Sequence, residues 1–314
     1  MTFPRILRLV LAATVVLTTG LAATGCTNAS QGLAGTGPAS VPGSPSFDPS
    51  TLHKDDALAA MLPDSLKGKD TITVGSDTTY APAEFLGGTD GQTPMGFDVD
   101  FAKAIGATLG LTVDFRTAGF ATILPGLGTK YDLGMSAFSI TKERMKAVNF
   151  VDYFKAGSIW AVQKGNPQNV SVDNLCGLKV GVQTGSVQED PDLTGRSKAC
   201  TDAGKPAIDV VSLPNQTDIT TRLVNGGIAA MVSGGTTITY ALTQTGGQLE
   251  LLGGLYNPDH NGIAVAKSDP ELADLVAKVM NKLIADGSYA KIMDRWGIAV
   301  LSTDKSVVNP EVDR

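Results

Sequence analysis

The run Met135–Arg144, MSAFSITKER, places a guanidinium where it could grip an anion. Alternation at 131–135 predicts a strand that breaks into a turn of small residues, Ser136-Ala137-Phe138-Ser139. Thr141 then reads as a helix N-cap, with Arg144 in the first turn of the helix it starts. A cation there opposes the positive end of the helix dipole. A bound carboxylate would remove that conflict, because helix amides and a bidentate guanidinium would hold the same oxygens. The plainer reading is a surface arginine paired with a nearby acid, and this stretch alone leaves both open.

The scaffold has 314 residues and 42% hydrophobic content, enough for more than one compact lobe. Net charge is -6, and no basic patch points to nucleic acid. The chain has only two histidines, His53 and His260, and no cysteine pair has metal-ligand spacing. No metal site and no cofactor are expected.

Residues 1–25 read as an export signal. Arg5 and Arg8 precede an apolar run, Leu9–Leu17, too short to span a bilayer, and small residues follow it. Ala22-Ala23-Thr24-Gly25-Cys26 looks like a bacterial lipobox, with Ala23 where leucine is more usual. Cleavage before Cys26 and its acylation would then anchor the chain; an ordinary secretory signal is the alternative. Two cysteines remain, Cys176 and Cys200, and an even pair in an exported protein reads as a disulfide. Residues 26–69 are expected to be a flexible tether, rich in Gly, Ser and Pro to residue 50. The short apolar pattern at 51–69 (Leu52, Leu58, Met61, Leu62) could pack on the fold.

From Thr71 strands and helices alternate. Strands are expected at 72–75, 112–116, 131–135, 158–164, 179–182, 208–211, 229–232 and 262–266. Helices are expected at 98–109, 120–127, 215–225, 236–245, 270–285 and 288–296, with Gly110 and Gly287 as stops. Residues 87–94 read as turn chemistry. The pattern means an α/β fold of two lobes with mostly parallel sheets, and ligands in such sheets sit beyond the carboxyl ends of the strands. The loops at 76–82, 117–120, 136–141 and 183–187 lie at such ends.

Five segments carry a resemblance to the bacterial extracellular solute-binding proteins of family 3, the polar amino acid receptors of ABC importers. They are GSDTTYAPAEF (75–85), GFDVDFAKAIGATLGL (96–111), YDLGMSAFSITKERMKAVNF (131–150), LKVGVQTGSVQE (178–189) and DGSYAKIMDRWGI (286–298). The resemblance implies a type II periplasmic-binding-protein fold, two α/β lobes joined by a two-strand hinge with the ligand cleft between. Lobe one would comprise 70–157 and 262–300, lobe two 158–261, and 301–314 would be a tail. Tyr80 and Phe120 would sandwich the ligand side chain, and Arg144 would clamp its carboxylate. Ser136, Ala137 and Ser139 would supply bonds from the turn. Gln183, Ser186 and Val187 would complete the site from lobe two, with Asp77 beside the side-chain pocket. Cys176 and Cys200 would flank the first helix of lobe two and pair as a lobe-two disulfide.

One departure stands out. The family places an aspartate for the ligand ammonium at the position that aligns with Gly234, and neither Ser233 nor Gly235 carries a charge. Three readings stay open. Another acid substitutes, with Asp77, Glu84 and Glu189 as candidates; the ligand lacks a free ammonium; or tight amino acid binding is lost. The resemblance implies a monomeric receptor for a small carboxylate, an amino acid or derivative, that serves a membrane permease. A ligand sensor for a signalling partner is the alternative. A dehydratase of cyclic carboxylates, resembling cyclohexadienyl dehydratase and using Glu84, Glu189 or His260, is the remaining one.

Overall fold

The computed structural model describes residues 48–313. The expected export signal, Cys26 and most of the expected tether lie outside the described residues. Where the tether was expected to run to residue 69, the chain already packs. Asp55 caps α1 (Asp56–Ala59) and Leu66 is fully buried, with Leu52, Leu58 and Leu62 against the same core.

Strands β1 (Thr71–Ser76), β2 (Thr79–Tyr80), β3 (Glu84–Gly87) and β4 (Thr93–Met95) precede helix α2 (Phe97–Leu109). Strand β5 (Thr112–Thr117), helix α3 (Phe120–Gly126), strand β6 (Leu133–Ser139) and helix α4 (Lys142–Ala147) follow. A long strand, β7 (Val148–Gln163), leads to β8 (Lys179–Gln183), α5 (Thr194–Asp202), β9 (Asp209–Leu213), α6 (Gln216–Val224), β10 (Ala230–Gly234) and α7 (Gly235–Gln244). A second long strand, β11 (Leu249–Ala266), returns to α8 (Pro270–Ala285) and α9 (Ser288–Arg295).

The main sheet has the order β5-β1-β6-β11-β7-β10-β8-β9. It is two sheets joined through β7 and β11, which pair antiparallel along their length. One end of β11 pairs with β6, and the far end of β7 pairs with β10. The fold is therefore two α/β lobes connected by two crossing strands. Each sheet is covered on both faces, as a mostly parallel sheet requires. In lobe one, α2 and α8 bury Phe101, Ile105, Leu275 and Val279 on one face, and Phe120, Phe138, Ile140 and Phe150 fill the other. In lobe two the faces are covered around Trp160, Val180 and Leu193, and around Ile219, Leu223 and Ile238.

The long strands extend well beyond the expected 158–164 and 262–266. Asn149 and Asp152 interrupt the apolar run of β7, yet both are buried with partners. Asn149 Nδ2 donates to Ala266 O at 3.2 Å, and Asp152 Oδ1 accepts from Val307 N at 2.5 Å. In β11 the register shifts three times against β7, which hides the alternation. Residues 87–94, read as turn, close a hairpin of β3 and β4. Asp90 Oδ1 accepts from Gln92 N and Thr93 N at its tip, and Pro94 sits in the short strand β4. The tail is not loose. Asn309 exchanges bonds with the Phe150 backbone at 2.7 and 2.9 Å, and Val308 bridges to Val151. It thereby covers part of a strand edge.

Candidate functional site

Strand β6 delivers the central turn. Ala137 holds φ +45°, a left-handed conformation uncommon for a residue with a Cβ. Its amide donates to Asp98 Oδ2 at 2.8 Å, and Asn261, with its amide nitrogen turned to Ala137 O (2.9 Å) and its oxygen to Ala156 N (3.2 Å), ties the turn to both crossing strands. Thr141 caps α4 by accepting from Arg144 N at 3.1 Å. Helix α4 has six residues, so Arg144 belongs as much to its last turn as to its first. The dipole argument therefore carries little weight. What places Arg144 is different. Its Nη1 donates to Ser139 O (2.8 Å) and its Nη2 crosses to lobe two, donating to Gly185 O (2.9 Å). The guanidinium also lies over the rings of Phe120 (5.5 Å) and Phe138 (5.8 Å), which stack 4.7 Å apart.

Lobe two presents the turn after β8 and the end of β10. Gly185 has φ +80°, and a Cβ there would sit 2.9 Å from the Ala121 side chain of lobe one, so glycine permits both the turn and the approach of the lobes. Gln183 Nε2 donates to Asp77 Oδ2 at 2.8 Å, and Gln216 N donates to Thr79 Oγ1 at 3.2 Å. Tyr80 reaches across to β10. Its hydroxyl accepts from Gly234 N at 3.0 Å and lies 3.0 Å from Ser233 Oγ. Ser233 Oγ donates to Gln216 Oε1 at 3.1 Å, so the Tyr80 proton points to Ser233.

Between these walls lies a space of about 30 Å³, room for about two water molecules, so an amino-acid-sized solute enters only when the lobes part. Tyr80, Phe120, Ser136, Ala137, Ser139 and Arg144 line it from lobe one, and Gln183, Ser186 and Val187 from lobe two. Asp77 and Glu84 do not line it. Asp77 is buried behind the wall, and its Oδ1 accepts from Thr79 N and Oγ1 while Oδ2 accepts from Phe120 N and Gln183 Nε2. Burial raises its pKa, and the bonds from Thr79, Phe120 and Gln183 oppose that rise. Glu84 is fully buried, with Oε1 taking the Ser136 hydroxyl proton at 2.5 Å and Oε2 without a partner in ordinary hydrogen-bond geometry. Burial, then the neighbouring Asp98 carboxylate, push Glu84 well above its ordinary range. Burial likewise lifts Asp98 to about 6, against bonds from Tyr153, Glu84 and Ala137 N. Glu189 Oε2 accepts from Gly185 N at 2.6 Å on the outer side of the turn. His260 Nδ1 pairs with Asp152 Oδ2 at 2.8 Å in the hinge, away from this space.

Sequence reasoning did not single out Ser158, Gln188, Thr236 or Asn261 as lining residues. Ser158 opens the strand expected at 158–164 and Asn261 directly precedes the one expected at 262–266, and both stand where the crossing strands pass the cleft. Cys176 and Cys200 are disulfide-bonded, but Cys200 lies within α5 rather than beyond it. The bridge ties that helix to the start of β8 and shares a core with Leu175 and Leu193.

Residues 72–299 match the family described as bacterial extracellular solute-binding proteins, family 3, and the chain belongs to it. The arginine-binding protein ArgT of Corynebacterium glutamicum is 30% identical over 256 residues, covering 81% of this chain and 83% of that protein. An ancestral arginine-binding protein bound to arginine superposes with a TM-score of 0.66 at 33% identity, covering 73% of this chain and 98% of the other. The ancestral amino acid-binding protein AncCDT-1, a precursor of cyclohexadienyl dehydratase, gives a TM-score of 0.63 at 28% identity over 74% and 98% of the two chains.

Proposed function

We propose that this chain is the receptor of an ABC importer, that its solute is a small carboxylate such as an amino acid or a derivative, and that Arg144 receives the carboxylate. The observation that supports this is the guanidinium at the cleft, held by Ser139 O on one lobe and Gly185 O on the other over two aromatic faces. When the lobes part, Nη2 leaves Gly185 O and presents to a solute. A carboxylate is a stronger acceptor than the neutral carbonyl it replaces. Ser139, Ser186 and the Ser136–Ala137 turn would add polar contacts, and Tyr80 and Phe120 would flank the remainder of the solute. Closure around the solute would shift an equilibrium between open and closed forms, and the permease would read the closed one. Acylation of Cys26 would hold a monomeric receptor at the outer face of the membrane.

Binding is favoured over catalysis because acid–base chemistry needs a titrating group within reach of the substrate. The walls of the cleft carry no carboxyl and no imidazole among the described residues. Glu84, Glu189 and His260 are each engaged elsewhere. The test is a thermal-shift and calorimetric comparison of carboxylates with their matched carboxamides, using residues 27–314. Stabilisation by carboxylates alone is expected, rising with concentration as the law of mass action requires. Equal binding of the carboxamides would refute the role given to Arg144.

A further inference from the structure

A second cavity lies between the lobes, outside the cleft. Its volume is about 450 Å³, against about 30 Å³ for the cleft. Small-molecule sites occupy about 300–1,000 Å³. The two spaces share only Ala156, Gly157 and Thr236, so Arg144 has no part in the larger one. Lobe one supplies Pro82, the end of α9 and the turn after it. Lobe two supplies Ile159, Leu255 and one side of α7. The lining runs from the buried residues Pro82, Ile159 and Ile298 to Leu255 and Val300, which are 51% and 91% exposed. The space therefore reaches from the surface into the interior.

Its aromatic walls are set before any ligand arrives. Phe85 packs against the rings of both Tyr240 and Trp296, with centroids 6.0 and 6.2 Å away. Trp296 Nε1 also donates to Asp100 Oδ2 at 2.8 Å. A preformed wall spares a ligand the cost of ordering it. Arg295 is the one charged residue in the lining among the described residues, and its Nη1 lies 3.4 Å from Asp100 Oδ2. An anion would have to compete with Asp100 for it, and no acid lines the cavity to receive a cation. Thr239 and Thr243 donate their hydroxyl protons to Gly235 O and Thr239 O within α7. The Tyr240 hydroxyl makes no hydrogen bond with the described residues, and burial raises its pKa, so it keeps a proton to donate.

We propose that this cavity is a second binding site, for an uncharged and largely apolar molecule of one or two rings that accepts a hydrogen bond from Tyr240. Water in such a space finds few partners, and an apolar ligand gains by displacing it. Both lobes build the walls, so an occupant favours the lobe angle that forms them. The inference is independent of what Arg144 receives.

The experiment is calorimetry on residues 27–314 with a matched set of probes: neutral 1-naphthol, anionic 1-naphthoate and cationic 1-naphthylmethylammonium. Naphthol should bind at one site per chain, at least about tenfold tighter than either ion. Thr239→Trp, at an exposed position of α7, puts an indole into the space and should weaken naphthol at least about tenfold. Tyr240→Phe, which removes only the donor, should weaken it about two- to tenfold. A second readout locates the probe. The chain has two tryptophans, and in Trp160→Phe only Trp296 emits, so 4-bromophenol should quench that emission saturably. Equal binding of the ions would overturn the ligand class. Unchanged naphthol affinity in Thr239→Trp, or no saturable quenching of Trp296, would overturn the site. A chain that binds none of the probes would overturn it too, and one that also forms a dimer dissociated by Thr239→Trp would assign the cavity to a second copy.

Discussion

Replacing Arg144 by alanine separates the bridge it makes between the lobes from the grip on a solute proposed for it. A carboxylate held by two guanidinium N–H groups gains about 1.5–3 kcal/mol from each charge-assisted bond. The Nη2 bond to Gly185 O is solvent-exposed and must be given up first, so the lower part of that range applies. The net loss should be about 2–4 kcal/mol, a weakening of roughly 30- to 1,000-fold in Kd for the carboxylate that wild type binds. The ligand-free protein loses the Ser139 bond and the contacts with Phe120 and Phe138, about 1–2 kcal/mol together. Its melting temperature should fall by about 2–8 °C without loss of fold. Isothermal titration calorimetry and a thermal melt on the same sample give both numbers. Arg144→Lys should lie between, because it keeps the charge and loses the fork. A Kd within threefold of wild type in the alanine variant, with the melt lowered as expected, would show that Arg144 is a structural bridge and no part of the binding site.

Tyr80→Phe removes the hydroxyl that joins β2 to β10 and strands the Gly234 amide. Small-angle scattering of the ligand-free variant should show a larger radius of gyration than wild type, whereas identical curves would mean the bridge does not hold the lobes together. Glu84 and Asp98 both have pKa values raised in the folded state, Asp98 to about 6, so folding retains protons that the unfolded chain releases. Their stabilisation is fully present below about pH 4, the unfolded range, and is lost as pH rises toward 6 and beyond. Glu84→Gln cannot ionise, so urea unfolding should show the variant gaining on wild type as pH rises above the unfolded range of about 4; parallel pH profiles would count against a raised Glu84 pKa. Cys176 and Cys200 close a loop with a sequence separation of 24, worth about 3–4 kcal/mol in the chain-entropy account. Reduction should therefore lower the midpoint of denaturant unfolding well beyond experimental error, and an unchanged midpoint would show that helix α5 is held by packing alone.

The elements that were legible in the sequence are those whose signals are local. Helix α2 ends at Gly110 in the left-handed conformation, and α8 begins with Asp269 capping Leu272 N and buries Leu275, Val276 and Val279. Thr141 caps α4 as its spacing implies. The long halves of β7 and β11 were hidden because their buried polar residues are satisfied by partners remote in sequence. Asp152 finds Val307 and His260, more than a hundred residues away. No local pattern distinguishes such an aspartate from one in a loop. The same limit applied to Arg144. Its position was legible, but the reason for it was not, since Gly185 and the Phe120 ring come from elsewhere in the chain.

The acids illustrate why composition near a cleft does not decide its charge. Asp77, Glu84 and Glu189 all fall within or beside segments that form the walls, and each was a reasonable counter-charge for an ammonium. The fold spends them differently. Asp77 holds the start of α3 and the Gln183 side chain, and so spans both lobes. Glu84 joins Asp98 and Ser136 in a network that fixes Ala137 at positive φ. Glu189 closes the turn that carries Gly185. Each carboxyl builds the shape of the cleft and is consumed in doing so. Arg144 differs in that its Nη1 and Nη2 donate to backbone carbonyls, Ser139 O and Gly185 O, and a carboxylate is a stronger acceptor than a neutral carbonyl. On the proposed reading, a solute would therefore meet the Arg144 guanidinium among the hydroxyls of Ser136, Ser139 and Ser186, the setting a carboxylate requires.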